Sequence, residues 1–127
     1  MGKRILVVDD HPLILDLMKR IFEMLGNQDI ELLMAADGKE ALQLAIDKRP
    51  ELVFLDVTIP YLDGFEVCQR IKAAGMKTHV ILLTGEDMER RKGVEVGADE
   101  CITKPFYPNQ ILHRAREVLG LDREEEA

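Results

Sequence analysis

The chain has 127 residues, 46% of them apolar and 32% charged, with a formal net charge of −7, which fits one globular domain able to bury a real core. No apolar run approaches the length of a membrane span, Cys68 and Cys101 give neither a disulfide framework nor a metal spacing, and the acidic balance excludes the cationic face needed to bind nucleic acid. Met1-Gly2-Lys3-Arg4 leads straight into Ile5-Leu6-Val7-Val8, too short and too quickly acidic for a signal peptide, so a cytoplasmic location is expected.

Arg4 to Val8 is predicted as a first strand, an unbroken apolar run ending in Asp9-Asp10. Pro12 suits the first turn of a helix, where its missing N–H costs nothing. Ile14, Met18, Ile21 and Leu25 form that helix's apolar stripe, and Gly26-Asn27 stops it. Ile30 to Ala35 is a second strand. Asp37-Gly38 turns into a helix lined by Ala41, Leu42, Ala45 and Ile46, which closes before Pro50.

Leu52-Val53-Phe54-Leu55 runs into Asp56 and then Val57-Thr58-Ile59-Pro60. So short and uninterrupted an apolar run predicts a strand buried on both faces, as in a parallel sheet. Asp63-Gly64 opens a helix carrying Phe65, Cys68 and Ile71 that ends near Gly75. Val80 to Leu83 is a fourth strand, followed by Thr84-Gly85. A short, poorly amphipathic helix is expected from about Met88 to Val96, closed by Gly97. Glu100 to Thr103 is a weaker fifth strand leading to Lys104-Pro105-Phe106. The last helix, Asn109 to Leu119, has a face of Ile111, Leu112, Ala115, Val118 and Leu119. Residues 1–121 therefore read as one domain and 122–127 as an acidic, solvated tail.

Strand and helix alternate five times, which predicts an α/β, doubly wound (βα)5 three-layer sandwich of the flavodoxin-like kind. In the parallel order 2-1-3-4-5 the ends of strands one, three, four and five surround one cleft. Asp9, Asp10, Asp56, Thr84 and Lys104 stand at those ends. Three carboxylates sharing a cleft repel one another, and burying them unpaired costs several kcal/mol. A hard divalent cation relieves this, and oxygen-only ligands favour Mg²⁺. Lys104 supplies a compact positive charge and Thr84 a hydroxyl donor, both suited to a phosphoryl group.

The acidic pair, Asp56 with Pro60 and Gly64 after it, Thr84, and Lys104-Pro105-Phe106 lie in order at successive strand ends. With these the chain resembles the response-regulator receiver domains of two-component signalling, from residue 3 to about 119. The resemblance implies that Asp56 is the phosphoacceptor, a carboxylate nucleophile that forms an acyl phosphate. It implies Mg²⁺ ligation by Asp10 directly, Asp9 largely through water, Asp56, and the backbone carbonyl of Thr58. Lys104 is expected to pair with Asp56 at rest and with the phosphoryl group afterwards, and Thr84 to bond a phosphoryl oxygen. The implied partners are a sensor histidine kinase or phosphotransfer protein and an unnamed downstream partner. No enzymatic turnover is expected beyond the domain's own phosphotransfer and dephosphorylation.

Two features depart from the pattern. Receivers commonly place Tyr or Phe three residues before the lysine, where this chain has Cys101, and the stretch from Thr84 to Gly97 is a couple of residues short. Both fall where helix four, strand five and helix five meet. Asp99, Glu100, Arg114 and Arg116 are expected there as mostly solvated ion pairs. His11 reads as a loop residue, since imidazole is a poor Mg²⁺ partner, and Cys101 as a thiol with neither an electropositive setting nor a resolving partner. Three rivals are weighed. An aspartyl-phosphate phosphatase wants a second aspartate two residues after the nucleophile, where Thr58 stands. An FMN carrier wants a hydroxyl- and glycine-rich loop, where Asp9-Asp10-His11-Pro12 would repel phosphate. A receiver-like module that is never phosphorylated has no need of the full acidic set.

Overall fold

The computed structural model describes residues 2–26 and 29–121, so the acidic tail at 122–127 lies outside the described residues. Ten elements alternate in chain order: β1 (Lys3–Val8), α1 (Pro12–Glu23), β2 (Ile30–Ala35), α2 (Gly38–Lys48), β3 (Leu52–Asp56), α3 (Gly64–Ala73), β4 (His79–Thr84), α4 (Asp87–Glu95), β5 (Glu100–Thr103) and α5 (Pro108–Leu119). All strands run parallel in the order β2-β1-β3-β4-β5, the doubly wound (βα)5 arrangement expected from the alternation.

The period of two along each strand divides the core into two layers. Ile5, Val7, Leu52, Phe54, Ile81 and Leu83 pack beneath α1 and α5 with Met18, Ile21, Ile111 and Ala115. Leu6, Val8, Val53, Leu55, Val80 and Leu82 face the other way, against Ala41, Ala45, Val67, Cys68 and Ile71. Every residue of β3 is buried, as its apolar run requires. Each large side chain removed from water in this way stabilises the fold by about 1.5–3 kcal/mol before entropy is counted.

Local chemistry sets the helix ends. Asp37 and Asp63 cap α2 and α3 by accepting from the amides of Glu40 and Glu66. Pro12 and Pro108 occupy first turns, so α5 begins one residue before the expected Asn109. Ile46, expected on the buried face of α2, is instead 49% exposed. Ala41 and Ala45 take the inner line of that helix, and their small side chains let it lie close to the sheet. Helix α4 buries only Gly93 among its residues, in keeping with its weak apolar pattern.

Of the ion pairs expected around β5, Glu100–Arg114 forms with both side chains partly buried, and Arg116 pairs with neither acid among the described residues. Glu100 accepts from Arg114 Nε and Nη2 at 2.7 and 2.8 Å, and its Oε2 lies 2.6 Å from His79 Nε2. Asp99 pairs with Lys72 of α3 at 2.7 Å rather than with an arginine. The Arg114 hydrogen bonds, with help from His79 and against some burial, hold the Glu100 carboxyl below its ordinary range. A depressed folded-state pKa gives stability that is present above the unfolded pKa and lost as pH falls through the folded one. Glu100→Gln should therefore cost about 1–2 kcal/mol at neutral pH. Urea unfolding of both proteins should show the difference shrinking below pH 4.5, the ordinary glutamate value, and vanishing in stronger acid.

Candidate functional site

Four neighbouring strands deliver their ends to one edge of the sheet. Asp9 and Asp10 follow β1, Asp56 closes β3, Thr84 closes β4 and Lys104 follows β5. A cleft of about 350 Å³ opens there, walled by Asp10, His11, Asp56, Val57, Thr58, Gly85, Glu86, Glu89 and Lys104. A second cleft of about 390 Å³ lies around Arg49–Glu51 and Gly75–Thr78 and gathers no comparable set of carboxylates.

Asp9, Asp10 and Asp56 each offer a carboxylate oxygen, and these oxygens lie within 4.8 Å of one another. Asp9 is fully buried, Asp56 is 5% exposed and Asp10 faces solvent. Lys104 Nζ stands 3.3 Å from Asp56 Oδ1 and 3.5 Å from Asp9 Oδ2. Three acids thus face one ammonium. Burial pushes the Asp56 carboxyl above its ordinary range, against the pull of Lys104, and the charge of Asp9 adds to the rise. The Thr58 amide donates to Asp56 Oδ1 at 3.3 Å, and the His11 amide to Asp9 Oδ1 at 2.9 Å.

Asp9 Oδ2 and Thr84 Oγ1 are buried with no hydrogen-bond partner. Such groups cost about 1–3 kcal/mol each when nothing completes them. Here they stand beside a cleft whose lining carries four further carboxylates, Asp10, Asp56, Glu86 and Glu89, and a lysine. Of the expected residues, Asp10, Asp56, Thr58 and Lys104 line the cleft directly. Asp9 reaches it through Lys104, whereas Thr84 lies beneath its wall, its carbonyl accepting from the Lys104 amide at 2.7 Å. The oxygen-only donor set fits a hard divalent cation, and the excess of negative charge calls for one.

Five residues of the cleft wall stand outside the expected set: His11, Val57, Gly85, Glu86 and Glu89. The Gly85 amide donates to Glu89 Oε1 at 2.6 Å, across the start of α4. Acids in a first helical turn are ordinarily read as partners of the helix dipole, which hides their second position on the cleft wall. At the aromatic position, Cys101 packs so close to α4 that a Cβ on Gly93 would lie 2.9 Å from its sulfur. Burial raises the pKa of both thiols, Cys68 to about 11, so neither is an activated thiolate.

Residues 5–116 match the response regulator receiver domain family. The chain belongs to that family. This receiver is 40% identical over 121 residues to the alkaline phosphatase synthesis transcriptional regulatory protein PhoP of Bacillus subtilis, a match that takes in 94% of this chain and 49% of that protein. It thus spans about half the length of the curated relatives it matches. Among solved structures, the receiver domain of the Francisella response regulator 1452 superposes with a TM-score of 0.85 at 30% identity, over 94% of this chain and 98% of that one. The receiver domain of the Pseudomonas aeruginosa sensor histidine kinase PA1611 gives a TM-score of 0.82 at 25% identity, over 94% and 99%, and that protein carries a magnesium ion coordinated in its active site cleft. The chain is accordingly a response-regulator receiver domain of two-component signalling. Among the described residues no helix is long and apolar enough to cross a membrane.

Proposed function

We propose that this receiver, residues 1–121, accepts a phosphoryl group on Asp56 from a sensor histidine kinase or phosphotransfer protein, with Mg²⁺ bound, and thereby changes which partner it holds. The observation that carries the reading is the carboxylate cluster itself. Two nearly buried acids and one exposed acid share a space of 4.8 Å with a single lysine at its edge. Asp9, Asp10, Asp56 and the backbone carbonyl of Thr58 would hold the ion. When bound, Mg²⁺ neutralises charge between the incoming phosphoryl oxygens and the acids.

The chain's own groups account for the rest. One carboxylate oxygen of Asp56 attacks phosphorus as the bond to the donor's nitrogen breaks, and the electron pair of that bond leaves with the donor. Asp56 reacts as the anion, so no general base is required, and positioning and charge carry the step. Lys104 keeps Asp56 oriented at rest and follows the transferred charge. The unsatisfied hydroxyl of Thr84 gains an acceptor once a phosphoryl oxygen arrives. Water attacking along the same line would release phosphate and limit the lifetime of the signal. The phosphatase rival is disfavoured by Thr58, exposed and without a carboxylate at the position where that chemistry wants its acid. The FMN carrier is disfavoured by Asp10 in the wall of the cleft. A cytoplasmic setting fits the proposed donors.

Incubation with Mg²⁺ and acetyl phosphate should add one phosphoryl group, mapped by mass spectrometry to Asp56, and a chelator should prevent it. Label on any other residue, or uptake indifferent to the chelator, would overturn the assignment.

A further inference from the structure

The wall of the cleft carries an anion of the protein's own on a backbone donor. Glu89 turns back from the first turn of α4 to accept from the Gly85 amide at 2.6 Å, while Glu86, the residue at the helix cap, makes no side-chain capping bond. Gly85 and Glu89 line the same cleft as Asp56 and Lys104. The residue before Gly85 is Thr84, with its buried, unpartnered hydroxyl. One corner therefore holds a backbone donor engaged by a carboxylate beside a hydroxyl engaged by nothing.

We infer that Glu89 is a resident competitor for the phosphoryl group: at rest its carboxylate holds the Gly85 amide, and an arriving phosphoryl group takes that amide over and expels Glu89. The inference rests on phosphorylation of Asp56 as proposed above. A backbone N–H that binds one carboxylate in this cleft is equally a donor to phosphoryl oxygen, and it cannot serve both anions fully. The acyl phosphate carries roughly −1.5 to −2 charges where the Asp56 carboxylate carried one, and the added negative charge repels a glutamate in the same cleft.

The mechanical result follows from how little else holds the helix. Only Gly93 of α4 is buried, and its side chains are tied down by the Glu89–Gly85 bond, by Arg90 Nη1 to Thr103 Oγ1 at 3.1 Å and by Lys92 Nζ over the Phe65 ring at 4.8 Å. Expelling Glu89 removes the one of these that faces the cleft. With Cys101 where receivers commonly carry a ring, this charge-driven release gives α4 a way to respond that needs no aromatic rotation.

The test uses Glu89→Ala against Glu86→Gln, which also removes one negative charge from the rim but no capping bond. Phosphorylation by acetyl phosphate with Mg²⁺ should be roughly tenfold faster in Glu89→Ala, the scale of one lost charge-assisted hydrogen bond, and should change distinctly less in Glu86→Gln. In the unaltered protein, beryllofluoride with Mg²⁺ should shift the Gly85 amide resonance strongly. Equal rates in the two variants, or a Gly85 resonance that stays in place while the signals around Asp56 move, would overturn the role of Glu89 alone. No beryllofluoride response at Asp56 in the unaltered protein would sink the phosphoacceptor reading, and this inference with it.

Discussion

Asp56→Asn should abolish phosphoryl uptake and leave a protein at least as stable as its parent when divalent metal is removed. The amide keeps the shape of the side chain but has no anionic oxygen to attack phosphorus, so labelling should fall to background rather than merely slow. The stability effect has a separate cause. Asp56 is 5% exposed beside a fully buried Asp9, and burial raises its carboxyl above the usual range. An acid whose folded pKa lies above its unfolded value costs nothing at low pH. Its penalty grows as pH passes the unfolded value of about 3.9 and is complete once pH exceeds the folded one. The substitution should therefore stabilise by on the order of 1 kcal/mol at pH 7, a gain that fades in acid. Adding Mg²⁺ should reverse the ranking, because only the parent retains its full set of carboxylates to bind the ion. Urea unfolding at several pH values, with chelator and with Mg²⁺, reads all three statements. A phosphorylated Asp56→Asn protein would remove this residue from the centre of the account.

Gly38→Ala should be the most damaging single methyl in the molecule. A Cβ there would stand 1.8 Å from the carbonyl oxygen of Leu62 and 2.6 Å from its carbon. Those are backbone atoms of the loop between β3 and α3, and the Gly38 amide is tied to the same loop through the Pro60 carbonyl at 3.0 Å. No side chain can swing aside. Either α2 or the loop must shift, and the loop carries Thr58 on the cleft wall. We expect a loss of at least about 3 kcal/mol, the upper end for overpacking a rigid site. On the scale of a domain this size that is roughly 10–15 °C in Tm. Gly75→Ala is the control: the site has φ +74 but nothing within 4 Å of the added carbon, so only the backbone penalty of about 1 kcal/mol applies. Thermal unfolding of both variants compares crowding with conformation. A mild Gly38→Ala would mean that the loop after β3 yields far more easily than its bonds imply.

The three central strands were legible because they are apolar without interruption from Ile5, Leu52 and Val80 onward, and burial on both faces leaves no alternation to confuse their reading. Asp9, Asp10, Asp56 and Lys104 were legible for a related reason: in a doubly wound sheet the end of a strand is also the edge of the cleft. The pattern ran out where one residue serves two settings. Glu89 scans as a helix-start acid, and only the fold reveals that the turn bends it onto Gly85. Ile46 satisfies the period of α2 yet lies 49% exposed, because periodicity does not say how far a helix is rotated against a sheet of small contacts. The bidentate Glu100–Arg114 pair joins β5 to α5, and its half-buried setting cannot be inferred from charges alone.

That pair also decides where the domain can give. The start of β5 is bolted on three sides: Glu100 to α5 and to His79, and the preceding Asp99 to α3. The neighbouring helix α4 buries only Gly93, which packs against Cys101 and Leu82. Strain entering from the cleft would thus meet a stiff abutment on one flank and a lightly packed helix on the other.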